Sequence, residues 1–332
     1  MYAKMNKLDK TDLKLLSHLE EDSEQTLSQM AKKLKTSQQV VSYRLKSLEE
    51  RKIIGGFYTI IDIAKLGYTN YRTMIRLSNI TEEKHKEIIN FLMKNKNVLW
   101  LVECGGRWDL IVNFTAKNII HYDNILKELI NKFPKQIQNY DVLTTVEVIY
   151  LGRDYFTNEK RTETKLPHFG GKWETISTDK TNLQILNLIS ENARTNSVEI
   201  ADKLKISPNT VLLRIKEMKR QELIQGFKPL IHLEKTSYSG YKALIKFQNI
   251  TEIKEKEILN YLKPNANIVG IIKLIGLWDF EMELEVENKE QMLKITRDFR
   301  DKFRDIIKDF EIIPLFHEYK YNFFPRDLLK EK

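Results

Sequence analysis

The sequence predicts an α+β fold made of two tandem copies of one unit, each a three-helix head followed by a βαββαβ domain. Three observations carry this prediction. The chain repeats itself at a constant offset of 170 residues, each copy opens with short capped helices joined by a tight turn, and strand and helix patterns alternate after each head.

The repeat is visible residue by residue. Asp9-Lys10-Thr11 recurs as Asp179-Lys180-Thr181, Asn79-Ile80-Thr81 as Asn249-Ile250-Thr251, and Gly106-x-Trp108-Asp109 as Gly276-x-Trp278-Asp279. Leu16/Leu186, Ala31/Ala201, Ser37/Ser207, Val41/Val211, Arg44/Arg214 and Phe57/Phe227 keep the same offset. A period of that length is domain-sized, so this is a duplication rather than a solenoid. The expected organisation is a head at 1–57, a βαββαβ domain at 58–155, a linker at 156–178, a second head at 179–227 and a second βαββαβ domain at 228–325. The linker holds Pro167 and Gly170-Gly171 and shows no period.

In the first head Leu13, Leu16 and Leu19 form a helical stripe, and Leu27, Met30, Ala31 and Leu34 fall at i, i+3, i+4, i+7. Thr26-x-x-Gln29 is a capping box for the second helix, and Asn196-x-x-Glu199 repeats it. After a short turn, Ser37 caps a third helix that turns Val41, Leu45 and Leu48 inward. In the second copy Ser207 caps and Pro208 takes the first helical position, where its missing N–H costs nothing. Two short helices around a tight turn match a helix-turn-helix. Phe57 to Ile63 has strand composition and is expected to act as a hinge. Beyond it, Tyr71 to Leu77 predicts a strand and Glu82 to Lys94 a helix. Val98–Glu103 and Trp108–Phe114 predict strands around a Gly-Gly-Arg turn. Ile119–Phe133 predicts a helix, and a last strand falls within Ile137–Tyr150. Tyr241 to Tyr321 repeats the order, which is the ferredoxin-like arrangement.

Composition narrows the function. The 332 residues are 42% apolar and 30% charged, with a net charge of +9, which suits a nucleic-acid binder. No apolar run approaches the length of a membrane-spanning helix, and residues 1–12 are too polar for a secretory signal. Cys104, alone in the chain, can form neither an intramolecular disulfide nor a zinc site, so a cytoplasmic protein is expected. The six histidines are scattered, no phosphate-loop or nucleophile-elbow pattern occurs, and Cys104 sits in a strand of core character. No catalytic residue, cofactor or metal is therefore expected.

Two sets of residues are candidates for binding. On the third helix Gln39, Ser42, Tyr43 and Lys46 fall at i, i+3, i+4, i+7, opposite the core stripe. With Gln38 beside them they present amide, hydroxyl, phenol and ammonium groups to base edges or phosphates of double-stranded DNA, and Arg44 at the margin suits a phosphate. The second copy offers Asn209, Arg214 and Lys216 but puts Leu212 and Leu213 where the first has Ser42 and Tyr43. Those leucines suit either thymine methyl groups or a head that packs on protein. The second set is the Gly-x-Trp-Asp turn: Gly105, Gly106, Trp108 and Asp109, with Gly276, Trp278 and Asp279. Its glycines and aspartates could hold an amino acid, or the turn could be a hairpin with a core tryptophan.

The run Leu27-Ser28-x-x-Ala31-x-x-Leu34-x-x-Ser37-x-x-x-Val41-x-x-Arg44-Leu45-x-x-Leu48, followed by Ile53-Ile54-x-Gly56-Phe57, resembles the head of the Lrp/AsnC transcription regulators. The βαββαβ domain with Gly-x-Trp-Asp between its middle strands is similar to that family's amino-acid-sensing domain. The resemblance spans nearly the whole chain, twice. It implies DNA binding by the helix-turn-helix, dimerisation through the sandwich, an effector near the Gly/Asp turn and higher assembly into homo-oligomers. Duplication within one chain and the apolar second recognition helix depart from the family pattern. Sirohaem decarboxylases share the architecture and form the enzymatic alternative. Their tetrapyrrole site is rich in His, Arg and Tyr around the middle strands, where this chain has no histidine and only Arg107.

One further expectation concerns pairing of the units. In the second unit Phe280, Met282, Leu284 and Val286 alternate with Glu281, Glu283, Glu285 and Glu287, so the apolar set should face the helices and the glutamates the open sheet face. Lys242 and Lys246 are expected beside them. The first unit has Ile111, Asn113 and Thr115 at the matching positions, with Arg72 and Arg76 on the neighbouring strand. Setting one unit against the other would bring these arginines to the glutamates and make the chain an intramolecular pseudo-dimer.

Overall fold

The computed structural model describes residues 8–157, 166–171 and 174–330. The first seven residues, part of the stretch judged too polar for a secretory signal, and linker residues 158–165 and 172–173 lie outside the described residues.

Each head is three helices: α1 (Lys10–Glu21), α2 (Leu27–Lys33) and α3 (Gln38–Glu50) in the first, α6 (Lys180–Glu191), α7 (Ser197–Leu204) and α8 (Pro208–Arg220) in the second. The expected caps are present. Thr26 and Gln29 satisfy each other's backbone N–H groups at the start of α2, Ser37 accepts from Val40 N, and Ser207 caps α8 with Pro208 in its first turn. Asn196 accepts from Glu199 N to start α7. Leu16, Leu19, Met30, Ala31, Val41, Leu45 and Leu48 are buried as the stripes require, Leu13, Leu27 and Leu34 are half-buried against the same core, and Leu15 joins them inside.

The segment expected to be a hinge is instead a pairing element. Strand β1 (Ile54–Ile61) runs antiparallel to β7 (Ile224–Ile231) of the other unit, with Phe57 opposite Pro229 and Thr59 opposite Phe227. The heads are laced onto this ribbon crosswise. Ser23 N–H donates to Phe227 O, and Ala193 N–H donates to Phe57 O. Apolar strand composition with unsatisfied backbone groups on both edges favours such pairing over a flexible joint.

The first βαββαβ domain comprises β2 (Thr69–Leu77), α4 (Glu82–Lys94), β3 (Val98–Cys104), β4 (Leu110–Ala116), α5 (Ile119–Lys132) and β5 (Ile137–Tyr150). The second comprises β8 (Ser239–Phe247), α9 (Glu252–Leu262), β9 (Ile268–Ile275), β10 (Phe280–Val286), α10 (Lys289–Lys302) and β11 (Ile307–Tyr321). The two long strands cross between units. β5 pairs with β2 over its first half and with β9 over its second, while β11 pairs with β8 and then with β3. With the β2–β5 pairing the ring β2-β4-β3-β11-β8-β10-β9-β5 closes, and the short β6 (His168–Gly170) lies along the outer edge of β5. The linker thus contains a strand where no regular element was expected; Phe169 is buried and anchors it.

The alternation in β10 is used as expected on one side. Phe280, Met282 and Leu284 pack with Ile258, Phe299 and Phe303 under the helices. The glutamates do not share one solvated face, however: Glu287, just past the end of β10, is exposed and Glu283 is half-buried. Glu281 and Glu285 are buried inside the closed ring, where Arg72 of the first unit pairs with Glu281. Lys242 bonds both Glu281, at 2.5 Å, and Glu283. Arg76 does not join them: it bonds Gln138 and the Arg107 carbonyl, and Lys246 bonds Asp279. Both lie nearer the strand ends, where solvent and the turns compete for them.

Candidate functional site

The recognition helix of the first head presents the expected face. Gln38, Gln39, Ser42, Tyr43 and Lys46 are exposed, and Tyr43 retains 75% of its free surface. Among the described residues the ion-pair partner of Lys46 is Glu50, at 3.7 Å and solvent-exposed, which leaves its charge available to a phosphate. Arg44 is placed differently from the expectation. Its guanidinium bonds Asp9 and Asp12, at 2.8 Å to each, and ties α3 back to the start of α1. Arg214 does the same in the second head with Asp179 and Asn182. Asp9 also accepts from Thr11 N and Asp12 N. These bonds, with Arg44, outweigh burial and hold its carboxyl below the ordinary value. These arginines fix the recognition helices in their heads, a role that the duplicated Asp9-x-x-Asp12 and Asp179-x-x-Asn182 caps could have signalled.

On α8 Asn209 and Lys216 are exposed, and so are Leu212 and Leu213, at 55% and 58%. The leucines therefore do not pack on the rest of the described chain. The same register yields a polar exposed face in one head and an apolar one in the other.

The Gly-x-Trp-Asp turns are docking points between the units. Gly105 N–H donates to Pro314 O, and a Cβ at Gly105 would stand 2.7 Å from Phe316 Cζ. At Gly276 φ is +144°, and a Cβ would stand 2.8 Å from Leu143 Cδ2, so backbone freedom and close approach both require glycine there. Asp109 accepts from Leu77 N at 2.7 Å, and Asp279 accepts from Phe247 N and Lys246 Nζ. The aspartates are thus committed to fastening the turn to the adjoining strand. Trp108 and Trp278 are core, and neither indole N–H has a hydrogen-bond partner among the described residues. Cys104 is buried in β3, as the core character of that strand suggested, and burial pushes its thiol up to about 12.

Sequence reasoning missed a cavity of about 260 Å³ where the first head, the ribbon and the second unit meet. Glu20, Tyr58, Trp100, Arg153, Lys228, Tyr238, Glu283, Glu285, Glu318 and Tyr321 are among its walls. Arg153 joins α1 to β10, bonding Glu20 and, in bidentate fashion at 2.7 and 2.9 Å, Glu285. Burial alone would lower its pKa, but these two carboxylates hold it well above the ordinary value. Burial pulls Lys242 down to about 8 and pushes Glu318 up to about 7. No residue pattern could have marked this place, because its walls come from segments far apart in the chain. Among the described residues no three metal-ligating side chains converge and no helix is long and apolar enough to cross a membrane.

Paired helix-turn-helix heads with exposed recognition helices, carried on a closed two-unit sandwich, define a DNA-binding protein with a ligand-binding-type body. Winged helix-turn-helix DNA-binding domains match residues 8–54 and 178–225, and the Lrp/AsnC ligand binding domain matches residues 72–150. An uncharacterized HTH-type transcriptional regulator of Pyrococcus horikoshii is 30% identical over 145 residues, which cover 43% of this chain and 96% of that protein. The proline dehydrogenase transcriptional activator of Rhizobium radiobacter is 29% identical over 132 residues, 40% of this chain and 85% of that one. The chain belongs to the Lrp/AsnC family of transcription regulators. Its duplicated architecture is shared with the crystal structure of a siroheme decarboxylase at a TM-score of 0.57, covering 97% of this chain and 98% of that one. At 13% identity this is a likeness of fold alone.

Proposed function

We propose that the protein is a sequence-specific DNA-binding regulator whose first head carries most of the base reading. The observation that carries this is the exposed polar stripe Gln39, Ser42, Tyr43 and Lys46, set against the exposed leucines at the same places in the second head. The two units act as a pseudo-dimer within one chain, which puts both heads on one assembly; the Arg72–Glu281 pair and the crossed long strands support this. Selection of bound fragments from random DNA supplies the operator. On that operator Gln39→Ala should cost roughly 1–3 kcal/mol and relax specificity at one position. Matched replacements at Asn209 should cost less, and equal losses in both heads would overturn the asymmetry.

The body responds to a small molecule, an amino acid or a relative of one, taken at the Gly-x-Trp-Asp turns. The unpartnered indole N–H groups of Trp108 and Trp278 support this reading. A panel of amino acids should raise the melting temperature by linkage, and Asp109→Ala or Asp279→Ala should abolish the rise. No shift at millimolar concentration would leave these turns with their fastening role only. Release of CO₂ from added sirohaem would overturn the regulator reading in favour of the enzymatic alternative.

A further inference from the structure

The cavity between the units is lined by no residue of either recognition helix, and its charges do not cancel. Six carboxylates stand in or behind its walls: Glu20, Glu234, Glu281, Glu283, Glu285 and Glu318. Four cations answer them. Arg72 and Lys242 serve Glu281 and Glu283, and Arg153 and Lys228 serve Glu20 and Glu285. Glu234 is left with the imidazoles of His232 and His317. Glu318 makes no ion pair among the described residues, although Arg153 and Lys242 face it at longer range. The one hydrogen bond to its carboxylate among the described residues comes from Trp100 Nε1 at 2.7 Å.

The duplication supplies an internal control. At an offset of 170, the wall residues Leu233, Glu234 and Leu315–Glu318 correspond to Ile63, Ala64 and Thr145–Val148. In that first-unit groove the chain seats its own linker. β6 pairs along Glu147–Ile149, Gly170 N–H donates to Asp62, and Phe169 packs against Tyr150 and Phe323. In the second unit the same groove is the cavity. The repeat builds one groove twice and fills one of them with a described segment of the chain.

We propose that this cavity is a binding site for a small organic ammonium ion that carries no carboxylate of its own. Surplus carboxylate charge attracts a cation and repels an acid. The tyrosines and Trp100 in the wall supply ring faces for the alkyl or aryl part and for the ammonium itself. The wall already holds one ammonium in this manner, since Lys242 Nζ lies 4.7 Å from the Trp100 ring centre. A bare metal ion does not fit, because no three ligating side chains converge among the described residues. Glu318 is the anchor for the incoming charge, with Glu234 as the second uncompensated carboxylate.

The inference goes beyond the regulator reading and does not depend on it. The test is calorimetric titration of the full chain at pH 8 with n-butylamine, phenethylamine and 1,5-diaminopentane, each beside its alcohol and carboxylic acid counterpart. At least one amine should bind, with its alcohol and acid weaker by roughly ten-fold or more. Glu318→Gln keeps an acceptor for Trp100 and should weaken the amine by a similar factor while operator binding stays unchanged. Protons should compete with the amine at Glu318, so binding should weaken as pH falls below about 7. The groups facing Glu318 are Arg153, Lys242, Glu283, Glu285, Tyr150 and Tyr321. Absence of heat with every amine at millimolar concentration, alcohols binding as well as amines, or unweakened binding in Glu318→Gln would each overturn the proposal. The amine-to-alcohol comparison needs no variant and decides the matter even if Glu318→Gln does not fold.

Discussion

Arg44 and Lys46 lie two residues apart on α3, yet their charges go to different uses. The Arg44 side chain is 26% exposed and spans Asp9 and Asp12, whereas Lys46 is 75% exposed with one weak partner. Replacing Lys46 by Ala should lower the slope of log affinity against log salt by about 1, with the melting temperature unchanged. Replacing Arg44 by Ala should cost roughly 1–3 kcal/mol of stability, because Asp12 loses its shorter pair and keeps only Arg51 at 3.3 Å. Thermal unfolding and salt titrations on both variants would separate the roles; a slope change without destabilisation in Arg44→Ala would return it to the DNA face. Glu318 makes a second prediction. Burial raises its carboxyl from an ordinary 4.5 to about 7, so between those values the folded chain holds a proton that the unfolded chain has released. Its contribution to stability is therefore complete below about pH 4 and is lost as pH rises to 7. Glu318→Gln should exceed the parent in stability at pH 8 by more than about 1 kcal/mol, and the difference should vanish near pH 4. A constant difference across that range would refute a desolvated carboxylate without an ion-pair partner at Glu318.

Elements differ in how far their own residues determine them. Helix caps such as Thr26-x-x-Gln29 and Ser37, and the apolar stripe of α3, act within one or two turns, so local sequence specifies them. The alternation in β10 likewise foretold which side chains face the helices. The partner of β1 was not legible, because it is β7, about 170 residues away, and no property of Phe57–Ile63 names its partner. The same holds for the cavity and for the inward fate of the β10 glutamates, both of which require two units to be docked. The linker strand β6 falls between these cases, since its glycine was visible but its docking place was not. Gly170 has φ +78°, and a Cβ there would stand 2.3 Å from Val146 O. Gly170→Ala should therefore destabilise the chain by roughly 1–3 kcal/mol and loosen β6 from β5. Hydrogen exchange at Phe169 and Gly171, whose N–H donates to Val146 O at 2.8 Å, would show that loosening directly. Unaltered protection in that variant would mean that the strand is held by Phe169 alone.

For the whole molecule, the consequence of duplication is a change in molecularity. A sandwich made from two separate units would pair its sheet faces at a cost that grows with dilution. Here both faces belong to one chain. Arg72 and Glu281 meet across 209 residues of sequence, the long strands β5 and β11 each serve both units, and each head hydrogen-bonds the ribbon strand of the other. Unfolding of this core should then be independent of protein concentration. We expect the melting temperature to hold within about 1 °C over a roughly hundred-fold dilution, even where larger assemblies form and dissociate at the outer surface. Arg72→Met, which leaves Glu281 dependent on Lys242 alone, should lower that temperature without making it concentration-dependent. A melting temperature that rises steadily with concentration in the parent chain would show that two chains exchange units to build the sandwich. The crossed strands would then join neighbouring molecules rather than the halves of one.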